Sequence, residues 1–104
     1  MNYRELDTPA LLIDREILME NLGLMQDYAD KNRVNLRPHA KTHKSPYIAR
    51  LQMERGACGI AVAKTGEAEV MARNGMTDIF IANEIVGRKK LERILMLNNL
   101  LLLL

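Results

Sequence analysis

Four short apolar runs, each followed by a stretch with helical periodicity, constrain this chain more than any other feature. They begin near residues 10, 34, 58 and 78, a repeat of 20 to 24 residues. Ala10-Leu11-Leu12-Ile13, Val34 to Ala40, Cys58 to Ala63 and Asp78 to Ala82 have the length of strands. Short strands alternating with helices imply parallel pairing, because parallel neighbours need a crossover between them. The helical stretches carry their own start and stop signals. Asp14 and Ser45 are N-cap residue types, and Pro46 follows Ser45 at the first helical position. Gly56 and Asn74-Gly75 stand where helices should end. On the first helix Ile17, Leu18, Leu22, Met25, Tyr28 and Ala29 recur at helical spacing, with Asn32 near its end. The third, from Glu67 to Arg73, opens on acids and closes on an arginine, as the helix dipole favours. The fourth begins near Gly87 and carries Leu91, Ile94, Leu95 and Leu97.

A doubly wound sheet and a (β/α)8 barrel both fit this order. No Gly-x-Gly-x-x-Gly follows a strand and no phosphate-binding P-loop is present, which disfavours the nucleotide-binding doubly wound folds. A whole barrel takes ~250 residues. The chain has 104. The expectation is therefore an α/β fold made of the first four βα units of a TIM-type barrel, truncated.

The chemistry concentrates in Arg37-Pro38-His39-Ala40-Lys41-Thr42-His43-Lys44. Alternation puts Val34, Leu36, Pro38 and Ala40 on one face of the second strand and Asn35, Arg37, His39 and Lys41 on the other. In a barrel the first set packs on helices, the second faces the lumen, and Lys41 reaches the C-terminal mouth where barrel active sites lie. A lysine among Arg37, His39 and Lys44, partly buried, is a candidate for a depressed pKa and a nucleophilic amine. Other readings stay open on the residues alone: a solvated basic loop, or a loop that meets phosphate. His39 and His43 as a metal pair is the weakest, because their four-residue spacing matters on a helix and Pro38 keeps this segment extended.

Composition narrows the class. Hydrophobic residues make up 48% and charged residues 27%, as in ordinary globular domains. A net charge of +2, with acids spread along the chain, argues against a nucleic-acid partner. Cys58 is alone, so there is no disulfide framework, and a cytoplasmic location is expected. No secretory signal is legible, and Leu100 to Leu104 is far shorter than the ~20 residues that span a bilayer. That apolar run is read as a truncation or a non-native end, giving residues 1–97 as barrel and 98–104 as a tail. The methionines read as core filler.

Leu6-Asp7-Thr8-Pro9-Ala10, the Arg37 to Lys44 motif, Gly66-Glu67-Ala68-Glu69 and Ile81-Ala82-Asn83-Glu84-Ile85-Val86-Gly87 together resemble the D-threonine aldolase and D-serine dehydratase family. These are pyridoxal 5'-phosphate enzymes of the alanine racemase fold type, and the similarity runs in one register over residues 5 to 94. The resemblance implies that Lys41 forms the imine with the cofactor, with Lys44 ranked second. It also implies cofactor contacts from His39, Arg37 and Thr42. Arg37 would lie in a polar layer beneath the cofactor or pair with a carboxylate such as Glu67 or Glu84. Glu67 and the Asn83-Glu84 pair, at the mouth, are weaker candidates. A second β-domain would carry a divalent metal, with no metal ligands in this chain.

The reaction implied for the parent protein is retro-aldol cleavage of a D-threonine-like substrate to glycine and an aldehyde. The alternatives are D-serine dehydratase-type elimination and a cofactor-binding protein without turnover. Homodimers are compatible with the resemblance. The 104 residues by themselves are expected to be inactive.

Overall fold

The computed structural model describes residues 2–101. After a short 3-10 turn, Tyr3–Glu5, the described residues form four helices: α1 (Arg15–Lys31), α2 (Pro46–Glu54), α3 (Thr65–Arg73) and α4 (Arg88–Leu101). Between α2 and α3 lies β1 (Ile60–Val62), and between α3 and α4 lies β2 (Ile79–Ile81). The two strands pair in parallel, with Ile60 opposite Ile79, Ala61 opposite Phe80 and Val62 opposite Ile81.

Residues 36–40 add a third parallel row on the other side of β1. Ala61 donates its N–H to Pro38 (2.8 Å), Ala40 donates to Ala61 (2.8 Å) and Cys58 donates to Leu36 (2.9 Å). His39 is the residue bridged to Ala61. The sheet order is thus 36–40, β1, β2, with helices between successive rows. The crossover topology expected from the repeat is present.

The helix boundaries follow the caps. Asp14 Oδ1 accepts the N–H of Ile17 (3.1 Å), and Ser45 Oγ accepts that of Ile48 (3.3 Å). Gly56, at φ +119°, takes the left-handed turn that ends α2. The core lies between the helices and the outer face of the sheet. Ala40, Ala49, Ile60, Val62, Ala68, Met71 and Met76 are buried together, with Met53, Ile79, Ile81 and Leu97 packed on them. Ile60, Val62 and Met71 are the largest fully buried side chains. Each contributes about 1.5–3 kcal/mol by leaving water. Met71 and Met76 fill the core as expected, whereas Met25 and Met96 are exposed.

The expected first strand is not formed. Residues 10–13 carry no ladder, Leu11 is fully exposed, and Leu12 and Ile13 are 61% and 62% exposed. The number of strand–helix units read from the repeat is therefore not confirmed: among the described residues two strands and the bridged segment 36–40 share the sheet. An apolar run becomes a strand only where another backbone edge receives it, and no such edge reaches residues 10–13 among the described residues. The apolar face of α1 is correspondingly half covered. Gln26 and Ala29 are buried, whereas Ile17, Met25 and Tyr28 stay exposed.

Helix α4 continues through Asn98-Asn99 to Leu101, across the position-97 boundary drawn from the sequence. Residues 102–104 of the expected tail lie outside the described residues. No described helix is long and apolar enough to cross a membrane.

Candidate functional site

The parity of the strands sorts side chains into two faces. Ala40, Ile60, Val62, Ile79 and Ile81 belong to the helix-covered core. The intervening residues face the other way and stack in rows. Arg37, Gly59 and Asp78 form the lowest row, at the N-terminal end of the strands. His39, Ala61 and Phe80 form the next, in direct register. Ala63 and Ala82 have the same parity at the C-terminal end, and Lys41 follows in the turn just beyond His39. Layered side chains of this kind fill barrel interiors.

In the lowest row Arg37 reaches under β1 to Asp78. Nη1 donates to Oδ1 (2.8 Å) and to the Asp78 carbonyl (3.3 Å), and Nη2 donates to Oδ2 (3.1 Å). This two-pronged pair holds the Asp78 carboxyl below its usual range and raises the Arg37 guanidinium further. Gly59 permits the crossing. A Cβ there would overlap Arg37 Nη1 and lie 2.8 Å from the Asp78 carbonyl oxygen. The carboxylate partner of Arg37 is therefore Asp78, a correction to the expectation of Glu67 or Glu84. Arg37 lies two positions before His39, in the lowest row of this face.

At the opposite end, residues 40–44 form the turn that carries Lys41. Lys44 N–H donates to Ala40 C=O (2.8 Å) and closes it. His39 Nδ1 accepts the N–H of Lys41 (3.2 Å), and His43 Nδ1 accepts that of Ser45 (3.0 Å). Both histidines thus fasten the backbone two residues ahead. Burial pushes the His43 imidazole down from its ordinary value. Thr42 is exposed on the turn. Lys44 has φ +49°, unusual for a residue with a side chain.

Lys44 Nζ is bound to Glu67 Oε1. The other Glu67 oxygen accepts the N–H groups of Ala63 (2.8 Å) and Lys64 (3.2 Å), where β1 passes into α3. The Lys44 ammonium, ahead of these amides, holds the Glu67 carboxyl below the usual range; partial burial works against it. Asn83 Nδ2 donates to Ala63 C=O (3.1 Å), tying the end of β2 to the same spot.

Lys41 differs from Lys44 in one respect that matters for chemistry. Its side chain is exposed, and among the described residues no carboxylate lies within ion-pair distance of it. The cation crowding expected around it is reduced, since Asp78 neutralises Arg37 and Glu67 neutralises Lys44. The candidate residues do not share one cavity. Thr42 and His43, with Leu11, Ile13 and Tyr47, line a mostly apolar cavity of about 430 Å³. Arg37 and His39 border another of about 340 Å³ beside α1, and Lys41 borders neither.

Asp78, Gly59 and the link between Glu67 and Lys44 were not singled out by sequence reasoning. Gly59 and Asp78 lie at strand starts, in register with Arg37, and only the pairing reveals that. No family model matches the chain. It is 48% identical over 85 residues to D-threonine aldolase from Arthrobacter sp., a match covering 82% of the chain and 22% of that enzyme. The chain is a homologue of D-threonine aldolase. It is also 46% identical, over 74% of its length, to D-threo-3-hydroxyaspartate dehydratase from Delftia sp. (strain HT23). The crystal structure of D-threonine aldolase from Filomicrobium marinum superposes with a TM-score of 0.86 at 50% identity, covering 88% of the chain and 25% of that protein. The chain spans about a quarter of the length of the relatives it matches.

Proposed function

We propose that Lys41 is the amine that holds pyridoxal 5'-phosphate in a lyase acting on D-amino acids that carry a β-hydroxyl. The observation that carries the reading is the contrast between the two lysines of the turn. Lys44 is bound to a carboxylate, whereas Lys41 sits at the end of a parallel row with no carboxylate within ion-pair distance among the described residues. An aldehyde cofactor needs an amine whose nitrogen lone pair is available. When bound, the cofactor supplies a ring that draws off the electron pair released at the substrate Cα.

The residues around Lys41 act on its placement. His39 Nδ1 fixes the Lys41 amide and closure onto Ala40 fixes the turn, so the side chain leaves the sheet from a defined backbone position. Thr42 and His39 are the neighbours of Lys41 offered to the cofactor, while Arg37 acts one row deeper through Asp78. The favoured reaction is retro-aldol cleavage to glycine and an aldehyde. The similarity to a D-threo-3-hydroxyaspartate dehydratase supports a second reading, elimination, in which Lys41 Nζ also takes the substrate's α-proton. In either reaction a divalent metal, if bound, would polarise the β-hydroxyl; among the described residues no group of three His, Cys, Asp or Glu side chains is placed to hold it.

The test uses the full-length protein loaded with the cofactor, reduced with borohydride and mapped by peptide mass. The pyridoxyl group is expected on Lys41. Its main appearance on Lys44 or elsewhere overturns the reading. Glycine plus acetaldehyde from D-threonine identifies the aldolase, and oxaloacetate plus ammonia from D-threo-3-hydroxyaspartate identifies the dehydratase.

A further inference from the structure

We infer that Glu67 is a positioning residue that withholds Lys44 from the cofactor aldehyde and pins the far end of the turn carrying Lys41. The inference deepens the reading of Lys41 as the attachment point and rests on it. Two amines stand three residues apart on one short turn, so the protein needs a means of choosing between them. Glu67 supplies it. One oxygen holds Lys44 Nζ, and the other accepts the Ala63 and Lys64 amides at 2.8 and 3.2 Å. Its side chain is only 11% exposed, so the carboxylate sits in a fixed place, against the first residues after β1.

Attachment joins the amine nitrogen to the aldehyde carbon and releases one water. It requires the nitrogen lone pair, which an ammonium held by a carboxylate does not offer. The same contact supports the backbone. Lys44 lies at φ +49°, a conformation that persists where the surroundings hold it. The turn is thereby fixed at both ends: Ala40 is bonded to Ala61 in the sheet, and Lys44 is bonded to Glu67 beside it. Lys41 projects between two fixed points.

The experiment is borohydride labelling of the full-length protein with pyridoxal 5'-phosphate, borohydride adding the hydrogen that makes the new C–N bond permanent. Label on Lys44 is read against label on Lys89, an exposed lysine with no ion pair among the described residues. In the unmodified protein Lys44 should label less than Lys89, although its side chain is 59% exposed. Equal labelling overturns the inference without any substitution. Glu67→Gln keeps an oxygen for the Ala63 and Lys64 amides and removes only the charge. The Lys44-to-Lys89 ratio should then rise two- to ~5-fold, the range that one partly exposed ion pair can shift an equilibrium. Glu67→Asp, which keeps the carboxylate, should raise it less. A purely structural cap predicts no change in Glu67→Gln, and that result overturns the inference as well. Failure of the Lys41 reading shows separately, as label on Lys41 no greater than on Lys89.

Discussion

Gly59→Ala tests whether the close approach in the lowest row shapes the sheet. The new Cβ would overlap Arg37 Nη1 and lie 2.8 Å from both Arg37 Cζ and the Asp78 carbonyl oxygen. Arg37 is long and can swing aside. The carbonyl cannot, because it accepts the Ile60 N–H at 3.0 Å and starts the β1–β2 ladder. Overpacking of this kind costs about 1–3 kcal/mol. Loss of the Ile60 rung adds about 1 kcal/mol. The sum, roughly 2–4 kcal/mol of local stability, corresponds to a ~30- to ~900-fold faster amide exchange. Hydrogen exchange followed by mass spectrometry of a peptide spanning residues 58–63 reads it directly in the full-length protein. Adding Arg37→Ala should relieve only the side-chain part, so most of the acceleration persists. Exchange within two-fold of the unmodified protein would refute the geometry, and complete recovery in the double variant would show that the carbonyl contact is not limiting.

Two further outcomes can be checked with the same protein. Ser45→Ala removes the oxygen that accepts the Ile48 N–H, and should destabilise α2 by ~0.5–2 kcal/mol; unaltered exchange at the start of α2 would contradict the cap. Burial depresses the His43 pKa in the folded state, so the unfolded chain binds its proton first as pH falls. Stability should therefore decline as pH drops through about 6.5, the ordinary histidine value, and His43→Gln should flatten that decline in denaturant titrations. Identical slopes in the two proteins would remove His43 as the cause.

How much was legible in the sequence depended on whether the signal was local. Asp14, Ser45-Pro46 and Gly56 specify helix ends through bonds spanning a few residues, and those ends are where they were expected. The alternation of residues 34–41 likewise sorted Ala40 into the core and Arg37 and His39 away from it, although Val34, expected with Ala40, is exposed and Lys41 already belongs to the turn. Residues 10–13 failed because a strand is a relation between two segments, and an apolar run does not name its partner. Arg37 with Asp78, and Lys44 with Glu67, are separated by 41 and 23 positions and become neighbours only through the parallel register. His39 was read as a cofactor contact and the His39 and His43 metal pair as the weakest alternative; the bond each Nδ1 accepts from the backbone two residues ahead is local, and neither reading named it.

Along the middle strand, the face opposite the core carries only Gly59, Ala61 and Ala63. These small side chains let the flanking rows close over the middle strand: Ala61 is buried, and the Arg37 guanidinium lies across Gly59. Exchanges at Ile60 and Val62 would therefore act on the helix side of the sheet, whereas added bulk at Ala61 would press on its opposite side and push the flanking strands apart.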